Sequence, residues 1–303
     1  MSTSEMKLRI NLICELGKAL HEYGTSSHRL EAVLKDIAES LGLKADFFST
    51  PTYLAISFEY LGEDNQLEQF NRHIRVLPGE TDLYKLQLVD TLAQKISNMS
   101  ISPQEALMEV KKIKSLPGQF STLVTLLSFP LISVSIAIIL SGGWSEAALS
   151  FFLGLVVGGL NYAKNLFTPL SEIFEFLSAF AVTIISTLIS NYAFGFDFQV
   201  VLISSLIVIV PGLNLTIAMN ELATNHLASG TARLMGTIMI FFKIAFGILL
   251  AMECAKLFLQ PISPIKPVAL NSYIKVLDVI LSCLGLTIAF MAKKSDFKWV
   301  LLS

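Results

Sequence analysis

A carboxylate, a guanidinium and a helix break follow one another closely in the second half of the sequence. Pro211-Gly212 interrupts an apolar segment long enough to cross a membrane, and Glu221 and Arg233 come next. A broken helix in lipid must satisfy its freed backbone groups, so it occurs where it is buried in protein or lines a wet cavity. In transporters such breaks mark solute sites. The pattern therefore predicts a transport site.

Two interpretations of Glu221 and Arg233 remain open. They form an ion pair at the membrane rim, worth about 0–1 kcal/mol if it is exposed, or they hold a solute's ammonium and carboxylate or a transported proton. Asn214 follows the break, and its amide either satisfies freed backbone groups or contacts the solute. Ser229 and Gly230 lie just before the arginine and complete the candidate site.

Lys243 is a second candidate site residue, because it lies in the middle of the next apolar segment. A central charge costs at least about 2.5–3.5 kcal/mol on membrane-insertion scales. The side chain should therefore face the bundle interior and find a partner. Glu172, Glu175 and Glu221 are better partners than Glu253, which points elsewhere on the same helix. Lys243 is predicted to form an anion site or an element of proton coupling.

The segments that position these residues are long and apolar. A spanning helix needs about 20 apolar residues, and six candidates meet this description: Phe120–Leu140, Ala147–Ala163, Ile173–Tyr192, Val200–Met219, Leu234–Phe258 and Tyr273–Met291. In the second of these, Gly154, Gly158 and Gly159 predict close helix packing, within the bundle or against a partner subunit.

Basic residues near the ends of these spans predict the orientation, because cytoplasmic loops are enriched in Lys and Arg. One side carries Lys111, Lys112, Lys114, Lys164, Arg233, Lys293, Lys294 and Lys298. The other side has Lys256, Lys266 and Lys275, all around a single loop. We therefore expect a multi-pass protein of the cell's inner (plasma) membrane with both termini in the cytoplasm.

Residues 1–118 differ in composition from residues 119–303 and read as a small α+β cytoplasmic domain before the transmembrane helical domain. Two amphipathic helices are predicted first, with Ser26 or Ser27 capping the second. Three strand-like segments rich in Phe, Tyr, Ile and Val follow. Two further helices complete an ααβββαα order, the second of which begins at Ser102-Pro103.

Composition and motifs narrow the function classes. The chain is 53% hydrophobic and 15% charged, with a net charge of −2 and no basic block, so nucleic acid is not an expected partner. Cys14, Cys254 and Cys283 are far apart and have no metal-ligand spacing. The sequence contains no nucleophile–base pair or phosphate loop. No metal, cofactor or enzymatic activity is expected.

Several motifs carry a resemblance to a known family. In the N-terminal part these are Gly24-Thr25-Ser26-Ser27-His28-Arg29-Leu30-Glu31, Thr50-Pro51-Thr52-Tyr53-Leu54 and Ser102-Pro103-Gln104-Glu105-Ala106. In the membrane part they are Val210-Pro211-Gly212, Glu221-Leu222, Ser229-Gly230 and Arg233. With these residues the chain resembles the threonine/serine exporter family. Members usually have aspartate in place of Glu221 and often glycine in place of Asn225.

The resemblance implies a function and a partner. Family members occur as one long chain with two membrane blocks, or as two proteins with one block each, and a bacterial pair of the second kind is associated with succinate export. This chain is similar to the larger subunit of such a pair, with an extra C-terminal span. The resemblance implies a proton-coupled secondary exporter of threonine or serine, or of a dicarboxylate, that works with a second membrane subunit or self-assembles.

Two function classes compete with transport at this stage. One is a membrane-tethered hydrolase, and catalytic turnover by residues 1–118 would reveal it. The other is a sensor domain on a passive membrane block, for which ligand binding without solute flux would be diagnostic.

Overall fold

The computed structural model describes residues 3–61, 67–77, 79, 81–260 and 270–302. The chain forms two compact units. The first consists of Met1–Gly118 and Leu213–Met235, and the second of Gln119–Gly212 and Gly236–Ser303. The division into domains at residue 118 stays a prediction, and the first unit includes a segment from the membrane half of the sequence.

The first unit begins with two amphipathic helices, α1 (Thr3–Glu22) and α2 (Ser27–Ser40). Their apolar residues recur every three or four positions and form a core in which Ile13 and Leu34 are fully buried. Between the helices, Gly24 has a φ of +95°, a left-handed conformation that favours glycine. This glycine lets the chain turn and start α2.

An antiparallel sheet follows, in the order β1 (Lys44–Thr50), β2 (Tyr53–Leu61) and β3 (Leu67–Arg75). Its first hairpin closes around Pro51-Thr52, since Thr50 pairs with Tyr53. Leu54, Ile56 and Phe58 alternate along β2 and are buried in the helix core, as expected for a strand with one covered face.

Two more helices, α3 (Leu83–Ser97) and α4 (Pro103–Ser115), complete the N-terminal part of the first unit. At the start of α4, Ser102 and Glu105 form a reciprocal capping box, and Pro103 occupies the first turn. The predicted ααβββαα order is confirmed.

The second unit is helical: its elements are α5 (Thr122–Ile139), α6 (Trp144–Leu166), α7 (Thr168–Tyr192), α8 (Phe198–Leu206), a 3-10 turn (Ile207–Ile209), the larger part of α10 (Leu227–Lys256), α11 (Ser272–Ala289), a second 3-10 turn (Lys294–Asp296) and α12 (Phe297–Leu302). The remaining helix, α9 (Gly212–Ala223), belongs almost entirely to the first unit.

Within the described residues, four helices are long and apolar enough to cross a membrane, namely α5, α6, α7 and α10. A fifth span results if α8 with its 3-10 turn and α9 count as one broken helix. In α11 (Ser272–Ala289), the described apolar part Asp278–Ala289 is too short to count as a span by itself. Four or five spans are thus supported, and the sixth predicted span corresponds to α11.

Glycines allow close helix packing in the second unit. A Cβ at Gly154 of α6 would lie 2.7 Å from the Cα of Pro130 and 2.8 Å from Oγ of Ser133, both in α5. A Cβ at Gly158 would meet the Leu126 carbonyl at 3.0 Å, whereas one at Gly159 would have open space. Two of the three predicted packing glycines therefore serve contact within the bundle.

Candidate functional site

The carboxylate of Glu221 is the centre of a polar cluster in the first unit. Glu221 lies near the end of α9 and is fully buried. Its Oε1 accepts a hydrogen bond from the backbone N–H of Ser27 at 2.8 Å, and its Oε2 accepts one from the Ser229 hydroxyl at 2.8 Å. A buried carboxylate needs such donors, because desolvation of a charge is costly.

Arg233 provides the counter-charge from α10. Its Nε donates to Oε2 of Glu221 at 3.2 Å and its Nη2 donates to Oε1 at 3.3 Å. The two N–H groups donate to one carboxylate oxygen each, which is the bidentate geometry that guanidinium groups favour. The side chain of Arg233 is 11% exposed and that of Glu221 is 0% exposed, so this is a buried ion pair and not a solvated pair at a rim.

Two serine hydroxyls extend the cluster. Ser27 Oγ and Ser229 Oγ lie 2.7 Å apart. Because the single hydroxyl proton of Ser229 goes to Glu221, the hydroxyl of Ser27 must donate to Ser229. A chain of two hydroxyl donors thus ends on the carboxylate, and both serines are buried.

Glu221 also caps α2, which begins at Ser27. The sequence predicts a cap from Ser26 or Ser27, and Ser26 is the N-cap residue but makes no side-chain capping hydrogen bond. The carboxylate of Glu221 takes that role through the Ser27 N–H. The positive end of the helix dipole favours an anion at this position.

Gly230 allows α9 and α10 to approach each other at the cluster. A Cβ at this position would lie 2.9 Å from the backbone nitrogen and 2.8 Å from Cγ of Leu222. Glycine is therefore required for the distance at which Ser229 reaches Glu221. Gly230 is one of the predicted site residues, and in the structure it permits close packing of α9 and α10.

A second polar group lies around Glu31 of α2. Its Oε1 accepts from the backbone N–H of Ser49 at 2.7 Å, and its Oε2 lies 3.3 Å from Nε2 of His226, in the turn between α9 and α10. The His226 ring is 5.9 Å from that of His28. The His226 side chain is 29% exposed and lies against α2.

His21, near the end of α1, is buried in the first unit. Its Nε2 lies 3.0 Å from the Thr50 carbonyl oxygen. Burial lowers the pKa of His21 from its ordinary value of 6.5, the Thr50 carbonyl acts in the opposite direction, and the charge of Arg233 lowers it further. A neutral imidazole is therefore favoured at neutral pH.

The predicted break at Pro211-Gly212 is present. The 3-10 turn ends at Ile209, and the amide of Gly212 donates to the Val210 carbonyl at 2.8 Å. Gly212 and Asn214 are exposed, and a Cβ at Gly212 would meet nothing within 4 Å. The backbone around the break is thus accessible.

Lys243 pairs across helices in the second unit. Its Nζ donates to Oε2 of Glu175 at 3.2 Å and to the carbonyl oxygen of Glu172 at 2.8 Å, both on α7. The prediction of a partner on another helix is confirmed, with Glu175 as the ion-pair partner. The Lys243 side chain is 35% exposed, so this pair is less enclosed than Glu221–Arg233.

Metal binding has no structural support in the described part of the chain, where no three His, Cys, Asp or Glu side chains come together in a suitable arrangement.

Comparison with known proteins identifies the family. The family model described as "Putative threonine/serine exporter" matches residues 11–255. The chain belongs to this family. As a threonine/serine exporter family member it is a membrane protein of an exporter family, and the matched range contains Ser27, Glu221, Ser229, Arg233 and Lys243.

Relatives of this exporter family member include longer proteins from fungi. Pheromone-regulated membrane protein 10 of Kluyveromyces lactis is 27% identical over 254 residues, which are 82% of this chain and 26% of that protein. An uncharacterized protein of Schizosaccharomyces pombe is 26% identical over 250 residues, 79% of this chain and 32% of the relative. The chain spans about a quarter to a third of these relatives. No solved structure matches it.

Proposed function

We propose that this chain is a proton-coupled secondary exporter of small polar metabolites, with threonine and serine as the first substrates. The observation that carries the proposal is the buried Glu221–Arg233 pair with two serine hydroxyls at its edge. A hydroxy amino acid carries groups that can replace each of these partners: a cationic ammonium, a carboxylate and a hydroxyl.

In this proposal the solute replaces the internal partners of the pair. The ammonium of the amino acid binds Glu221, its carboxylate binds the guanidinium of Arg233, and its hydroxyl exchanges with the hydroxyl chain of Ser27 and Ser229. Each buried charge keeps a counter-charge during the exchange, which avoids the cost of an unpaired ion. Because Glu221 is fully buried, the pair must separate for the solute to enter.

A dicarboxylate such as succinate is the second substrate class. Succinate has no ammonium, so one of its carboxylates would face Glu221 and be repelled. Lys243 offers another cation, but it is already paired with Glu175. The zwitterion therefore fits the Glu221 cluster better than the dicarboxylate does.

The break at Pro211-Gly212 completes the proposed pathway. Its exposed backbone would present polar groups to the passing solute, as broken helices do in other transporters. Asn214, which follows the break, supplies an exposed amide for the same purpose.

A second membrane subunit is part of the proposal, and a second copy of this chain is the alternative partner. The apolar window of α10 is 22% buried, against 39–44% for α5, α6 and α7. Large side chains along it are exposed, including Met239, Phe242 and Phe246. This surface is available to lipid and to a partner helix. The lysines Lys111, Lys112 and Lys114 before α5 support a cytoplasmic N-terminal part in the plasma membrane.

Efflux from cells that lack their own amino-acid exporters tests the proposal. The cells would be preloaded with labelled threonine, serine or succinate and would express the chain alone or together with a single-block member of the family. We expect threonine and serine efflux that requires the second protein and a proton gradient. Succinate efflux would change the substrate, and no efflux of any of the three from verified membrane protein would refute the proposal.

A further inference from the structure

Asp278 is a buried acid in an apolar helix. It lies in the second turn of α11, and only 3% of its surface is exposed. Ionisable residues within apolar membrane segments are costly, and they mark proton or ion pathways when they are retained. Asp278 is not part of the Glu221 cluster or the Lys243 pair.

The side chains around Asp278 supply hydroxyls and no counter-charge from α5. Ser282 and Gly285 lie one and two turns further along the same face of α11. Ser282 Oγ is hydrogen-bonded to Ser135 Oγ of α5, and a Cβ at Gly285 would lie 2.6 Å from the Ile132 side chain of α5. The whole of α5 contains no charged residue.

Lys293, Lys294 and Asp296 follow the C-terminal end of α11, whereas Asp278 lies in its second turn. The helix α12, which also packs on α11, carries Lys298, and this side chain is exposed over the Trp299 ring. Lys275, one turn before Asp278, has a side chain outside the described residues. Replacement of Lys275 therefore tests the contribution of this charge separately.

The hydrogen bonding of Asp278 differs from that of two other buried carboxyls. Glu146 accepts from the backbone N–H groups of Gly143 and Asp197 at 2.7 and 2.9 Å. Glu221 accepts four hydrogen bonds, two of them from Arg233. By contrast, Oδ1 of Asp278 is buried and has no hydrogen-bond partner among the described residues.

An unpartnered oxygen in low dielectric strongly disfavours the carboxylate form. A neutral carboxyl avoids that cost and can donate its hydroxyl proton to a serine oxygen or a helix carbonyl. Glu221 shows the opposite arrangement, because the guanidinium of Arg233 stabilises its charged form. Of these two acids, Asp278 is thus the one suited to binding a proton reversibly.

We propose that Asp278 is the proton-binding site that couples transport to the proton gradient, with Ser135 and Ser282 as positioning residues. The carboxylate takes one proton from water on one side, becomes a neutral carboxyl inside the bundle, and returns that proton to water on the other side. This assignment rests on the proposed exporter function. It leaves Glu221 to the solute ammonium.

The site lies beyond the matched range of the family model, which ends at residue 255. The proposal therefore concerns a feature carried by α11 of this chain. It also gives a role to the C-terminal segment that the Glu221 cluster does not require.

Infrared difference spectroscopy on the full-length protein in lipid tests the proton site without any transport assay. The probe is the carbonyl stretching band of a protonated carboxyl, recorded across pH for the wild type and for Asp278→Asn. We expect a band at neutral pH that is absent in Asp278→Asn and is lost at high pH. Ser282→Ala should shift its frequency, since the hydrogen bonding around the carboxyl changes.

Matched variants test whether the band belongs to the Asp278 carboxyl. Glu221→Gln should leave it unchanged, and Asp278→Glu should keep a protonated carboxyl at a shifted frequency. Lys275→Met should also keep the band. If Asp278 is a carboxylate throughout the accessible pH range, or becomes protonated at neutral pH only when Lys275 is removed, the proposal is overturned. If sodium changes the infrared spectrum and no band of a protonated carboxyl is present, the proposal is overturned in favour of a cation site.

A transport measurement then separates this proposal from the exporter function. In proteoliposomes, the rate of solute exchange by Asp278→Asn should stay within about twofold of wild type. Its pH-driven accumulation of solute should be at least about tenfold lower than that of wild type. Unchanged pH-driven accumulation in Asp278→Asn would overturn the proton assignment while leaving the exporter function intact. If the wild type moves no tested solute, the exporter proposal fails and the infrared band decides the proton site alone.

Discussion

Glu221 and Asp278 are two buried acids in the same chain with opposite surroundings. Glu221, in the first unit, is saturated by an arginine, a backbone N–H and a hydroxyl. Asp278, in the second unit, keeps an unpartnered oxygen in an apolar helix. Burial alone therefore does not define the role of an acid. The available donors decide whether it holds a fixed negative charge or a proton.

The largest expected effect comes from Glu221→Gln, which removes the charge of the buried carboxylate from its ion pair with Arg233. Removing one partner of a buried pair costs about 3–5 kcal/mol. We expect a loss of this size in the free energy of unfolding, measured by denaturant titration in mild detergent, and we expect uphill export to be abolished while the protein still inserts in the membrane.

The matched control for this change is Glu253→Gln. Glu253 forms an exposed pair with Lys256, and each side chain is 66% exposed. Its replacement should change stability by less than about 0.5 kcal/mol. Asp278→Asn sharpens the comparison further, because it removes an acid that has one unpartnered oxygen and should not destabilise the protein. Equal losses for Glu221→Gln and Asp278→Asn would contradict the distinction between the two acids.

The next largest effect is expected for Gly230→Ala. The added methyl would meet the backbone nitrogen of Leu222 at 2.9 Å, which forces α9 and α10 apart at the Glu221 cluster. Overpacking of this kind costs about 1–3 kcal/mol, and transport should fall with it. Thermal unfolding and efflux of the variant would be measured side by side.

Gly236→Ala is the control on the same helix. A Cβ there meets nothing within 4 Å, so the change should be neutral or stabilising by up to about 1 kcal/mol, as for glycine to alanine in an open helix position. Equal stability of the two alanine variants would show that the close approach at Gly230 is not required.

The smallest effect is expected for Ser27→Ala, which removes the outer hydroxyl of the donor chain but keeps the backbone N–H that donates to Glu221. One hydrogen bond contributes about 1 kcal/mol. Ser26→Ala is the neighbouring control, because Ser26 makes no side-chain capping bond, and its cost should be smaller. A larger cost for Ser26→Ala, measured by unfolding of both variants, would contradict the hydroxyl chain.

Local patterns were sufficient to predict most of the secondary structure. The ααβββαα order, the break at Pro211-Gly212 and the need of Lys243 for a partner follow from periodicity, breaker residues and the cost of a buried charge. Each of these signals depends on neighbours in sequence or on the residue itself. The structure agrees with all three.

The convergence of Ser27 with Glu221 could not be predicted in this way, because the two residues are 194 positions apart in sequence. Each of the two residues belongs to a motif that resembles the family. However, no periodicity links a helix start in the N-terminal part to a carboxylate in the membrane half. Asp278 was detectable in principle. A single acid inside an apolar run is a signal of function, although Asp278 is not among the predicted site residues.

Binding of threonine analogues to the purified full-length protein tests the central claim most directly. Threonine would be compared with an analogue lacking the ammonium and one lacking the carboxylate, on the wild type and on folded Glu221→Gln. We predict at least about tenfold weaker binding of each analogue to the wild type, and no penalty for the missing ammonium in Glu221→Gln. Equal binding of all three compounds to the wild type, or an unchanged ammonium penalty in Glu221→Gln, would contradict the account.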